Sequence, residues 1–162
     1  MVARFRLIIV LGAFWIISAT GTAYAATVVA LGASNTYGKG VSPSQSYPAQ
    51  LETLLRARGL NVHVINAGVN GDTPRGMLGR LDGAAPAGTR VVILQPGTNA
   101  VDPGAVSQIR ARLAARGVQV IMLEGAIVPV QYHKADGQHL TPEGYRILAS
   151  RLLPQVLHAL GR

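Results

Sequence analysis

The chain has 162 residues, 49% of them apolar, no cysteine, and a formal net charge of +8 at neutral pH. That length suits one domain with a real core, and the missing thiols exclude disulfides and lipid attachment at cysteine. The positive balance fits nucleic acid poorly, because lysine is scarce, aromatics are few and the arginines are scattered. Arg56, Arg58, Arg110, Arg112 and Arg116 read as solvated helix ends, where cations complement the helix dipole. A basic exported protein would instead meet anionic envelope surfaces or acidic polymers.

The first residues have the pattern of a leader. Arg4 and Arg6 give a basic start, and residues 7–19 are apolar but short of the roughly 20 needed to span a bilayer. Ala23-Tyr24-Ala25 then offers small residues at the two positions a signal peptidase reads. The expectation is a signal peptide over residues 1–25 and a mature domain over 26–162. That domain would be exported to the periplasm or beyond, with no stable membrane span after processing. An uncleaved anchor is the alternative.

In the mature chain, strand and helix signals alternate. Residues 27–31, TVVAL, form a buried strand ending at a glycine-rich turn, GASNTYGKG. The turn is not a phosphate-binding loop. Five residues separate Gly32 from Gly38 where that pattern has four, and Gly40 stands where the magnesium-binding hydroxyl should be. Leu51, Leu54 and Leu55 recur at helical spacing before Gly59. NVHVINAG follows as a second strand, and Thr73-Pro74 starts a helix with Met77, Leu78 and Leu81 on its apolar face. RVVILQPG is a third strand, apolar on both faces as a central parallel strand is. Asp102-Pro103 opens a helix with Val106, Ile109 and Leu113 buried, ended by Gly117. VQVIML is a fourth strand. In residues 124–140, AIVPV has the composition of a short fifth strand, which Pro129 confines to an edge or turns into a loop. Thr141-Pro142-Glu143 starts the last helix, carrying Ile147, Leu148, Leu152 and Leu153. This alternation with short connections predicts one α/β domain, a parallel sheet with helices on both faces.

Ligands of open parallel sheets bind beyond the carboxyl ends of the strands. There the sequence puts Ser34 and Asn35 after the first strand, then Asn66, Asn70, Gly71 and Asp72 after the second. Thr98 and Asn99 follow the third, and Asp136 and His139 precede the last helix. These are the ingredients of acyl transfer. Ser34 can be a nucleophile and His139 its base, with Asp136 orienting the imidazole. The Gly71 backbone N–H and the Asn99 amide can stabilise an oxyanion. Asp72 can serve simply to favour the positive end of the next helix. His63 and His158 read as structural or surface residues, and the role of His133 is open.

The order of these blocks resembles the SGNH, or GDSL-type, hydrolases. GASNTYGKG stands at the family's Gly-Asp-Ser block and NAGVNGDT at its second block. PGTNA stands at the block usually written Gly-x-Asn-Asp, and DGQHLTPEGY at its Asp-x-x-His block. The resemblance implies a flavodoxin-like three-layer α/β/α sandwich and a triad of Ser34, His139 and Asp136. It also implies an oxyanion hole of Ser34, Gly71 and Asn99, ester substrates, and neither a metal nor an organic cofactor. Ala33 and Ala100 replace two aspartates that would support loop shape. The connection before Asp136 is short, which suggests a shallow pocket and short acyl chains. A small-molecule or envelope-derived ester is thus the expected substrate of an exported serine esterase. The alternatives are a thioesterase, lysophospholipase, sugar O-acetylesterase or peptidase-like activity at the same residues, or a non-catalytic binding protein on the same fold.

Overall fold

The computed structural model describes residues 26–123 and 128–162. The expected leader, residues 1–25, lies outside the described residues, as do Ala126 and Ile127 of the candidate fifth strand. Among the described residues the sheet has four parallel strands: β1 (Ala26–Gly32), β2 (Val62–Gly68), β3 (Thr89–Gln95) and β4 (Gln119–Met122). Their order is β2-β1-β3-β4, so the chain winds outward from β1 in both directions. After Pro129 the backbone makes a 3-10 turn over Val130–Tyr132.

Residues Val28 to Leu31 of β1 have no exposed surface. Their side chains alternate between the two faces, as strand geometry requires. Val28 and Ala30 pack under the helices α2 (Tyr47–Arg56) and α6 (Pro142–Ala159), with Leu51, Leu55, Tyr145 and Leu152. Val29 and Leu31 pack on the other face with Met77, Leu81, Ile109 and Leu113. The result is the three-layer α/β/α sandwich that the alternation of elements predicts.

Helix starts follow one device three times. Thr73, Asp102 and Thr141 accept hydrogen bonds from the backbone N–H of Gly76, Ala105 and Gly144, and each is followed by proline. The side chain satisfies an N–H that the helix leaves orphaned, and proline supplies none that would need satisfying. The helix after Thr73 is interrupted, however. It divides into α3 (Pro74–Gly79) and α4 (Leu81–Ala84) at Arg80, where glycines at 76, 79 and 83 weaken helical propensity. Met77 and Leu81 are still fully buried.

Arg116 is exposed at a helix end, as the sequence predicts, and also makes a contact the sequence did not show. It follows α5 (Pro103–Ala115) and donates from Nη2 to the carbonyl oxygens of Ala85 and Pro86, pinning the turn before β3. Arg110 and Arg112 are exposed, as the sequence predicts.

The strand ends set up the site. In the sheet register Gly32 stands beside Gly68 on one neighbour and Gln95 on the other. Three strands therefore end level, and their loops leave from one edge. One prediction tests the layer beneath. Ile109 of α5 is fully buried, so Ile109→Ala should lower stability by about 2–5 kcal/mol, read from the urea midpoint. Val101→Ala, at a side chain 93% exposed, should move it by less than about 0.5 kcal/mol.

Candidate active site

Ser34 opens a single helical turn, α1 (Ser34–Tyr37), directly after β1. The turn is closed by Tyr37 N–H on the Ala33 carbonyl and by the N–H groups of Gly38 and Lys39 on the Ser34 carbonyl. Below it, Gln95 Oε1 accepts from the Ala33 N–H at 3.2 Å and from the Thr36 hydroxyl at 2.9 Å. Thr36 is fully buried, and the Tyr47 hydroxyl lies 3.4 Å from its oxygen.

His139 reaches this serine from 105 residues away. Its Nε2 lies 3.0 Å from Ser34 Oγ, and its Nδ1 lies 2.6 Å from Asp136 Oδ2. A carboxylate only accepts, so Nδ1 carries the proton and Nε2 presents its lone pair to the serine hydroxyl. Asp136 is itself held by its other oxygen, which accepts from the backbone N–H groups of Gln138 and His139, both at 2.9 Å. The His139 N–H, then the His139 ring and then the Gln138 N–H hold the Asp136 carboxyl well below the usual carboxylate range. The His139 side chain is 10% exposed, while that of Asp136 is about half exposed at 49%.

Polar clamps fix the loop that carries both residues. Asn35 donates from Nδ2 to the Gln138 carbonyl at 3.0 Å and accepts from the Tyr145 hydroxyl at 3.0 Å. Burial pushes the Tyr145 phenol up to about 12, so it remains a neutral donor. The Lys134 ammonium donates to the Gly40 carbonyl, and its backbone N–H donates to the His139 carbonyl at 2.7 Å. His133 sits inside the loop, its ring nitrogens 3.1 Å from the Gly137 carbonyl and 3.2 Å from the Val128 carbonyl. That contact answers the question its sequence position left open: it braces the loop.

Across the sheet edge, Asn99 Nδ2 donates to the Asp72 carbonyl at 2.8 Å, joining the loops after β3 and β2. Asp72 does more than favour a helix start. One oxygen accepts from the Thr73 N–H, and the other pairs with Arg80, whose Nη2 also donates to the carbonyls of Ala67 and Gly32. Arg80 thereby ties the ends of β1 and β2 together, which sequence reasoning missed. Its signal was an arginine among small and apolar helical residues, eight residues after an aspartate. Gly71 has φ of 77°, a left-handed conformation that disfavours any side chain. It is exposed beside Asp72 and does not line the cleft over Ser34.

That cleft has a volume of about 220 Å³. Ser34, Asn35, Gln95, Thr98, Asn99 and Gln138 line it, and its remaining walls are alanine and glycine. Asn66 stays outside it, bonded to the Gly68 N–H and the Tyr37 carbonyl. His63 is on the surface against Glu52 at 3.0 Å, and His158 is exposed. Among the described residues no group of three or more His, Asp or Glu side chains gathers where it could hold a metal ion.

Residues 30–108 match the GDSL-like lipase/acylhydrolase family. The chain is 30% identical over 136 residues to the esterase TesA of Pseudomonas aeruginosa, covering 78% of this chain and 67% of that one. Among solved structures, the psychrotrophic esterase EstA from Pseudoalteromonas sp. shares the fold with a TM-score of 0.73 at 13% identity, over 84% of this chain and 99% of that one. AlinE4, an SGNH-hydrolase family esterase, superposes with a TM-score of 0.57 at 25% identity, over 84% of this chain and 97% of that one. A serine hydrolase acting on ester bonds, the chain belongs to the GDSL-like lipase/acylhydrolase family, the SGNH hydrolases.

Proposed function

We propose that this protein is an exported esterase for short-chain esters, with Ser34 as nucleophile, His139 as general base and Asp136 as the group that orients it. The observation that carries the reading is the run of contacts from Ser34 Oγ to His139 Nε2 at 3.0 Å and from Nδ1 to Asp136 at 2.6 Å. Each distance is within reach for proton transfer, and the base is fixed by a third group.

The chemistry follows from the contacts. Ser34 Oγ attacks the acyl carbon while its proton passes to His139 Nε2. The carbonyl oxygen becomes an oxyanion, which the Ser34 backbone N–H and the Asn99 amide stabilise; Gly71, which the sequence offered as a further donor, stands outside the cleft. Asn99 uses one amide hydrogen on the Asp72 carbonyl and keeps the other for this role. The C–O bond to the alcohol breaks, and the alkoxide takes the proton from His139. Water then attacks the acyl-enzyme with its proton going to His139, and the acid departs as Ser34 recovers a proton. Asp136 stays ionised throughout and offsets the transient imidazolium charge.

The cleft supports a short acyl group. Its lining is polar or small, and each buried CH₂ contributes about 0.8 kcal/mol only where apolar walls receive it. Export rests on the leader-like residues 1–25, with cleavage after Ala25 leaving a mature domain of residues 26–162. Among the described residues no helix is long and apolar enough to cross a membrane. Exported material should therefore begin at Ala26 on N-terminal sequencing, and a membrane-held product retaining Met1 would refute the leader.

A fluorophosphonate should label Ser34 and no other serine, as peptide mass mapping would report. Ser34→Ala and His139→Ala should each remove almost all ester turnover, and the double variant should be little worse, because the groups act as one unit. Asn99→Ala should cost roughly 10²–10³ in kcat with little change in KM, since its donor acts on charge that develops in the transition state. Turnover surviving Ser34→Ala at near wild-type rate would sink the proposal. On a series of aryl esters below micelle formation, kcat/KM should peak between acetyl and butyryl and fall for a sixteen-carbon chain.

Asp136 also links stability to pH. Its carboxyl is depressed in the folded state, so its contacts contribute fully above the ordinary aspartate value and are lost as pH falls toward the folded one. The gap in urea midpoint between wild type and Asp136→Asn should be widest near neutrality and narrow below about pH 4. A gap unchanged down to the acid limit of folding would contradict that linkage.

A further inference from the structure

Gln95 is a polar residue of the cleft that the proposed mechanism leaves unused, and its two ends do different things. Its carboxamide oxygen is committed, because it accepts from both the Ala33 N–H and the Thr36 hydroxyl. Only the oxygen of a carboxamide accepts, so these two donors fix which way the group is turned. The Tyr47 hydroxyl, 3.4 Å from Thr36 Oγ1, closes the chain from the core side. Gly32 makes room for this arrangement: a side-chain carbon there would sit 2.8 Å from Gln95 Oε1 and 2.9 Å from its Cβ.

The nitrogen must then face the other way. A side-chain carbon at Gly97, a cleft residue, would sit 3.8 Å from Gln95 Nε2. Among the described residues no acceptor takes either of its amide hydrogens. The amide is thus a preoriented donor, held from behind, in a cleft of about 220 Å³ that also holds Ser34.

The reaction assigns it a side of the substrate. The leaving alkoxide must lie beside His139 Nε2, toward the loop of Gly137 and Gln138, in order to take its proton. The oxyanion lies toward Asn99. The acyl substituent is left with the floor formed by the ends of β1 and β3, where Ala33, Gln95 and Gly97 stand. An alkyl chain placed there would cover the amide and desolvate it without a partner, which is unfavourable. An acyl chain with an oxygen near its carbonyl would accept from it.

We infer that Gln95 is a specificity-determining residue of this esterase: its oxygen holds the nucleophile turn, and its Nε2–H donates to an ether or hydroxyl oxygen in the acyl chain. The preferred substrates are short esters of oxygenated acids, a refinement that rests on the esterase reading above.

Methoxyacetyl and butyryl aryl esters test this, because they are isosteric and differ by one oxygen for one CH₂. For the wild type, the ratio of their kcat/KM values should exceed the ratio of their hydroxide-catalysed hydrolysis rates by roughly tenfold, the effect of one hydrogen bond. Gln95→Glu keeps an oxygen for Ala33 and Thr36 but replaces the donor by a second acceptor, so it should bring the enzymic ratio down to the hydroxide ratio or below. A merely structural role would lower both esters alike and leave the ratio unmoved. A wild-type ratio equal to the hydroxide ratio overturns the assignment even if the variant fails to fold. Equal ratios with Ser34-dependent turnover overturn the role of Gln95 alone, whereas turnover that survives Ser34→Ala overturns the esterase reading and this one with it.

Discussion

The site hangs from the carboxyl end of β1. Val28 to Leu31 are without exposed surface and lie between two parallel neighbours, so every backbone N–H and C=O of that stretch has to be paired within the sheet. Parallel register leaves little freedom in where the strands end, and Gly32, Gly68 and Gln95 finish side by side. Ser34, the Asn99 loop and the Asp72 loop consequently start from fixed points a few residues from their destinations. A short loop from a rigid strand end is the least entropic way to hold a reacting group in place.

Ala33 and Ala100 stand where the family's blocks carry aspartates, and neither is part of the run of contacts from Ser34 through His139 to Asp136. Ala33 is almost fully buried, and a side-chain carbon at Gly97 would sit only 3.0 Å from its methyl. A carboxylate in that packed place would need partners to offset its desolvation. Here the neutral Gln95 carboxamide holds the turn from the adjacent strand instead. At the other position, Ala100 is exposed. Its loop is fastened on both sides, by Asn99 on the Asp72 carbonyl and by Asp102, which caps α5 and pairs with Arg75 at 3.2 Å. Neighbouring groups thus supply the fastening.

The alternation of elements was legible because each reports a local cause. Thr73, Asp102 and Thr141 before prolines mark helix starts, and the β-branched runs mark central strands. The meeting of Ser34, His139 and Asp136 was legible as a contact, because acyl transfer calls for such side chains after particular strands. The parts that were not legible depend on distant pairings. Arg80 looks like a helix residue until its guanidinium is seen on carbonyls of two strands. Arg116 is an exposed helix end, but its bonds to the Ala85 and Pro86 carbonyls were not readable from its position. Gln95 reads as the last residue of a strand, and only the inward turn of α1 shows that its oxygen is occupied and its nitrogen is not. Backbone carbonyls have no residue-specific signature, so side chains that bind them leave no sequence pattern.

The two halves of the site are held by different forces. Ser34 follows β1 directly, on a turn seated over apolar layers, whereas Asn99 is exposed on the loop after β3 and is held by its bond to the Asp72 carbonyl. His139 and Asp136 stand on a loop fastened largely by polar contacts: Asn35 with Gln138, Tyr145 with Asn35, Lys134 with Gly40, and His133 with two carbonyls. Each such contact contributes only about 0.5–1.5 kcal/mol net of water. Local opening of a segment held this way lies far below global unfolding in free energy. The contact of His139 with Ser34 therefore depends on a segment held less firmly than the core. The packed core thus lies directly under the Ser34 turn, while the loop of His139 and Asp136 depends on the polar contacts at its edges.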